Sequence, residues 1–174
     1  MQNSPLIVTA KMDAESFDYF NDLRQKYFPP ERNFLSAHIT LFHHLPGENL
    51  DGIEAQLKIA ASRQYEFKLL FSEVKFIGKG TIVQIESPEL ISLRNKLANQ
   101  WFDRLTPQDI QKFAPHVTVQ NKTEPAPARI VFEKLNESWK PRFGRAIALQ
   151  LWHYRGGPWQ LANEFDFYQT NDHE

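Results

Sequence analysis

His38-Ile39-Thr40-Leu41 and His116-Val117-Thr118-Val119 repeat one pattern, histidine–apolar–threonine–apolar, 78 residues apart. Runs of this kind, rich in β-branched residues, favour a β-strand, in which side chains two apart share a face. Each copy therefore sets an imidazole beside a hydroxyl and turns its apolar neighbours toward a core. Any fold for this chain must satisfy that division twice. Either tripeptide alone is a short pattern that arises by accident and reads as an ordinary strand histidine. Paired, in runs bounded by turn or proline residues, the two point to halves of one site. Two imidazoles supply a base and an acid near neutral pH, and two hydroxyls supply hydrogen-bond donors for a small anionic group such as a phosphodiester.

The rest of the chain supports an α+β fold. Leu6 to Met12 predicts a first strand. Asp13 suits an N-cap for a helix with Phe17, Phe20, Leu23, Arg24 and Tyr27 at helical spacing, ended by Pro29-Pro30. Residues 34–42 read as the first motif strand, and 50–62 as a helix with Ile53, Leu57 and Ala60 on one stripe. A hairpin is expected over 67–77 and 81–85 around Gly78-Lys79-Gly80. A helix then opens near Pro88, with Leu90, Leu93, Leu97 and Trp101 inward. The second motif strand is His116 to Gln120, followed by a helix over 125–136. Two long strands over 143–167 meet at Gly156-Gly157-Pro158. The expected order is βαβαββαβαββ, with each motif strand lying between helices, which suggests two similar lobes carrying one motif apiece.

Twenty basic against twenty-one acidic residues leave almost no net charge, which argues against a protein that tracks a long nucleic-acid backbone. A basic cleft on a neutral body suits a short or terminal substrate better. Cysteine is absent, which excludes a disulfide scaffold, thiol catalysis and cysteine-ligated zinc. The N-terminal Met-Gln-Asn-Ser-Pro lacks the features of a signal peptide, and no run approaches the roughly 20 apolar residues of a membrane span. A cytoplasmic protein of one domain, covering residues 1–174, is expected.

The pair His38-Ile39-Thr40-Leu41 and Pro115-His116-Val117-Thr118-Val119, with the ending Tyr154-Arg155-Gly156-Gly157-Pro158-Trp159, resembles the 2H phosphoesterase superfamily. Within it, the chain is similar to the RNA 2′,3′-cyclic phosphodiesterase and 2′-5′ RNA ligase branch. The resemblance implies a bilobal, pseudo-two-fold-symmetric α+β fold, with two antiparallel-rich sheets flanking a central cleft and helices outside. It implies metal-independent hydrolysis of 2′,3′-cyclic phosphate ends of RNA or nucleotides to 2′-phosphates, with 2′-5′ joining in some members. His38 and His116 would be the catalytic pair, with Thr40 and Thr118 binding phosphate. No cofactor is implied, and the partner is an RNA terminus or small nucleotide; the chain itself is expected to be a monomer.

Further substrate contacts are expected from residues that share the motif faces. Phe42 has the parity to flank His38 and Thr40 and to stack on a base, and Lys122 extends the second motif strand toward phosphate. Lys11 alternates with Thr9 on the first strand, and Arg155 adjoins the Gly-Gly turn. Trp152, Tyr154 and Trp159 surround the final hairpin, where core packing is the stronger expectation. His43 and His44 invite a zinc reading together with His38, but no His-Glu-x-x-His pattern accompanies them. The alternative from another class is a catalytically silent RNA- or nucleotide-binding module of the same fold. Intact histidines and threonines in both motifs favour the enzyme.

Overall fold

The computed structural model describes residues 3–169. Its strands are β1 (Leu6–Met12), β2 (Ile39–Leu45), β3 (Phe67–Phe76), β4 (Thr81–Glu86), β5 (His116–Gln120), β6 (Arg142–His153) and β7 (Gln160–Asp166). The helices are α1 (Ala14–Tyr27), α2 (Leu50–Ala61), α3 (Pro88–Gln100), α4 (Pro107–Ile110) and α5 (Pro125–Ser138). The expected order holds, with α4 as an added short turn that Pro107 and the Thr106 cap create between α3 and β5. Asp13 caps α1 by accepting from Ser16 N at 2.9 Å, and Ser87 caps α3.

All seven strands pair antiparallel, in the order β2-β1-β6-β3-β4-β5, with β7 also on β6. The long β6 makes this possible. Its first half, Arg142 to Ala146, pairs β3, while its second half carries β1 and β7. The two expected sheets are therefore joined at β6–β3 into one curled sheet. The lobes β2-β1-β6 and β5-β4-β3 mirror one another, and each places its motif strand at the outer end. Curling brings those ends back together, so that β2 contacts β5.

The core runs along one face of both lobes. Leu6, Val8, Ile39, Leu41, Leu149 and Leu151 fill it in the first lobe, and Leu69, Phe71, Val83, Val117 and Val119 in the second. Ile53 and Leu57 of α2 and Leu90, Leu93 and Leu97 of α3 close over it. Each such side chain contributes about 1.5–3 kcal/mol when fully buried, so the register that buries it is strongly specified.

The first motif strand begins at Ile39, not near residue 34, because Phe34 to His38 lies in irregular chain and Phe34 is 61% exposed. Both motif strands also carry a bulge just after their threonine. In β2 the partner of Thr40 is Thr9, but that of Phe42 is Val8, so two steps on β2 oppose one on β1. In β5 the partner of Thr118 is Ile82, but that of Gln120 is Thr81. An inserted residue reverses the side-chain alternation beyond it. Leu41 and Phe42 are consequently both buried, as are Val119 and Gln120. The lobes thus repeat each other down to this irregularity.

The second bulge explains Gly80. A Cβ there would overlap the carbonyl of Gln120 and crowd Cα of Asn121, both backbone atoms that have no free side chain to yield. Gly80→Ala is expected to destabilise the fold by about 1–3 kcal/mol or more, read as a lower urea midpoint, while Gly52→Ala, which meets open space, stays near or above wild type.

Candidate active site

The two histidines are held in the same way. His38 Nδ1 lies 2.7 Å from the carbonyl of Ser36, and His116 Nδ1 lies 2.9 Å from the carbonyl of Ala114. In each case the partner is the backbone oxygen two residues upstream. A carbonyl can only accept, so each Nδ1 carries the proton, and each Nε2 is left to exchange one. Burial pushes His38 down to about 4, against the pull of the Ser36 carbonyl, and the charges of Arg24, His116 and His43 push the same way. His38 is therefore a neutral imidazole at neutral pH, with its Nε2 lone pair available. His116 is close enough that a proton on it disfavours a second on His38.

Helix α1 ties both motifs together. Asn21 Oδ1 accepts from Ala37 N at 2.7 Å, which fixes the chain just before His38. Arg24, one turn along the same face, donates from Nη1 to the carbonyl of Thr118 at 2.9 Å. Its Nε and Nη2 also donate to Asn33 Oδ1, and its plane lies over the Phe28 ring. One helix thus holds the chain just before the first motif and the backbone of the second, which ties the spacing of the two.

A second tie lies behind the first motif. Buried Asp109 of α4 accepts from the backbone N–H groups of His43 and His44 and from His43 Nδ1 at 3.0 Å. Arg94 of α3 donates to the carbonyls of Leu41 and Asp109. Burial alone would raise the Asp109 carboxyl. The side-chain hydrogen bond from His43, then the backbone ones from His43 and His44, outweigh it and hold the group below its ordinary value.

Two cavities meet at His38. One, of about 500 Å³, is bounded by Arg24, Arg32, His38, Thr118 and Lys122, with Tyr154 and Trp159. The other, of about 480 Å³, is bounded by Phe17, Phe34, Trp152 and Trp159, with Lys11 and Gln150 on its floor. The Trp159 ring lies 4.7 Å from that of His38 and divides the two. Under the second cavity runs a chain of hydrogen bonds: Trp152 Nε1 donates to Thr9, Thr9 donates to Gln150, and Gln150 and Lys11 both donate to Glu164.

Of the residues expected around the motifs, the structure gathers Lys122 and Lys11 at these cavities, although Lys11 is already paired with Glu164 at 2.7 Å. Phe42 is corrected: the bulge turns it into the core, where it meets Trp101 edge-on at 5.0 Å and lies under Arg94. Gln120 is likewise buried, so it does not extend the His116 face. Arg155 stands exposed in the β6–β7 turn and lines neither cavity. His43 turns to Asp109 and His44 is exposed, and among the described residues no group of three His, Asp or Glu side chains converges. Trp152 and Trp159, expected in the core, are cavity walls. Sequence reasoning missed Arg24 as a site residue. The available signal was its place on the buried stripe of α1, four residues after Phe20, where a charge has no business without a partner.

A family model for the 2′-5′ RNA ligase superfamily matches residues 12–158. The chain belongs to this superfamily. That places it among the LigT-like 2H phosphoesterases, enzymes that act on phosphoesters. Solved structures agree on the fold. TT0787 of Thermus thermophilus has a TM-score of 0.68 at 15% identity, covering 96% of this chain and 100% of that one. LigT of E. coli, complexed with 3′-AMP, has a TM-score of 0.63 at 20% identity, with 94% and 98% covered. A structure described as a phosphoesterase gives 0.62 at 20% identity, with 95% and 99% covered. No curated protein matches the chain in sequence. No described helix is long and apolar enough to cross a membrane.

Proposed function

We propose that this superfamily member is a metal-independent phosphodiesterase that opens 2′,3′-cyclic phosphates on RNA ends or nucleotides to 2′-phosphates. The observation that carries the reading is the matched lock on His38 and His116, which leaves Nε2 of each ring as its proton-exchanging atom. His38, neutral through burial, takes a proton from water as its oxygen attacks phosphorus. His116 in its protonated form delivers a proton to O3′ as the P–O3′ bond breaks. Thr40 and Thr118 donate to the non-bridging oxygens, where charge builds in the transition state. With a 5′-hydroxyl in place of water, the same step forms a 2′-5′ linkage.

The aromatic cavity suits the base of such a substrate, since stacking on Trp152 and Trp159 contributes about 1–3 kcal/mol per base. LigT, which shares the fold, has been captured with 3′-AMP, with ATP and with NADP+, which supports a nucleotide as occupant. The test is incubation with 2′,3′-cyclic AMP in excess EDTA, followed by phosphorus NMR. Accumulation of adenosine 2′-phosphate is expected. A 3′-phosphate product, or activity lost in EDTA and restored by zinc, would count against the scheme.

A further inference from the structure

We infer that the cavity bounded by Arg24, Arg32 and Lys122 is a subsite for a second phosphate of the substrate, the one on the 5′ oxygen of the nucleotide whose 2′,3′ phosphate reacts. The inference rests on the proposed reading for where the reacting phosphate sits, and it adds what else the substrate must carry.

The two cavities beside His38 differ in charge. The aromatic one contains a single cation, Lys11, neutralised by Glu164. The other is lined by three cationic side chains and by no Asp or Glu. Among the described residues, none of those three forms an ion pair with a carboxylate. Three unneutralised cations around one hollow repel one another, a cost that an anionic ligand removes.

Arg24 makes the hollow a built site. It is 3% exposed, and its guanidinium is held by Asn33 and by the Thr118 carbonyl. Those bonds use three of its five N–H donors. The remaining two belong to a fixed, planar fork of the kind that matches phosphate oxygens. Burial lowers its affinity for its own proton, to about 10, which still leaves it charged at neutral pH. Lys122 is held at the rim in an unusual backbone conformation, φ 58°, with its N–H on Asn121 Oδ1. A long side chain in the left-handed region is strained, and here it belongs to a residue that lines the same cavity as Thr118. Arg32 and Tyr154 complete the rim.

The proposed reading also selects which phosphate. Thr118 and His38 border the cationic cavity themselves, so on the proposed reading the reacting group sits at that side of it, the base takes the aromatic cavity, and the remaining cations, Arg32 and Lys122, are left for the phosphate on the 5′ oxygen. A 5′-phosphate has two sources. It is terminal in a mononucleotide and is the internucleotide linkage at an RNA end.

Calorimetry at fixed ionic strength separates them, with adenosine 2′-phosphate, adenosine 2′,5′-bisphosphate and a diadenosine ending in a 2′-phosphate as the three probes. The bisphosphate is expected to bind at least about tenfold more tightly than the monophosphate, given the strength of charge-assisted hydrogen bonds. That advantage should fall to near unity in Arg32→Ala/Lys122→Ala and persist in Lys58→Ala/Lys134→Ala, which removes equal charge from exposed helix positions elsewhere. A gain shared by the dinucleotide assigns the subsite to RNA ends, and a gain confined to the bisphosphate assigns it to free nucleotides. Equal affinities for all three probes, or an advantage that survives in the Arg32/Lys122 variant, overturn the proposal. Turnover of the corresponding cyclic substrates is measured alongside. Absence of turnover with the bisphosphate preference intact would reject the catalytic reading and leave the subsite standing.

Discussion

His38→Ala and His116→Ala should each lower kcat/KM on a 2′,3′-cyclic nucleotide by about 10²–10⁴-fold, the usual yield of a positioned acid or base. The double variant should lose little beyond the worse single one, because base and acid serve one transition state. Folding should survive in all three, since each ring gives up only one hydrogen bond, to a carbonyl. The sharper outcome is the pH profile. A base must be neutral, and burial brings His38 down to about 4. The acidic limb of kcat/KM should therefore lie near pH 4, well below the 6.5 of an unperturbed imidazole. A limb near 6.5 would transfer the base role away from His38. Stability carries the same sign. The unfolded chain binds a proton at His38 below about 6.5 while the folded chain does not until about 4. This contribution to stability is intact above 6.5 and lost progressively as pH falls toward 4. His38→Ala should flatten that part of the urea-midpoint curve.

Periodicity alone carried most of the element order, because the strands and helices of this chain bury clean stripes. The motif faces were legible for the same reason, as His38 and Thr40 alternate with Ile39 and Leu41. What the pattern could not carry was the bulge. Phe42 follows Thr40 at strand spacing, and only pairing with β1 shows that Val8, not a cleft-facing residue, lies opposite it. A register shift is a property of two strands, so one strand's sequence does not record it. The long-range ties were hidden in the same way. Arg24 and Thr118, or His43 and Asp109, are separated by 94 and 66 residues and meet only because the sheet curls. In the sequence, His43-His44 invites a zinc reading together with His38. In three dimensions these two residues supply the N–H groups that bind Asp109.

That carboxylate carries the second large prediction. Asp109→Ala removes the acceptor for two backbone N–H groups and the His43 ring at once, in a place where Asp109 itself is 1% exposed. Each donor left without a partner costs about 1–3 kcal/mol, so a total loss of roughly 2–5 kcal/mol is expected, read from urea unfolding at pH 7. Asp109→Asn, which keeps one acceptor oxygen, should fall between the two. The pH dependence identifies the cause. The carboxyl sits below its ordinary value in the folded protein, so its contribution is full above the unfolded value near 3.9 and is lost as pH falls through the folded one. The gap between wild type and Asp109→Ala should narrow in that acidic window, whereas a packing defect alone would leave it constant. Activity should drop as well, by on the order of 10–100-fold, because α4 leads into the chain that presents His116 while its carboxylate grips the end of the strand that presents Thr40. An Asp109→Ala protein with unchanged stability and turnover would show that α1 alone sets the distance between the two motifs.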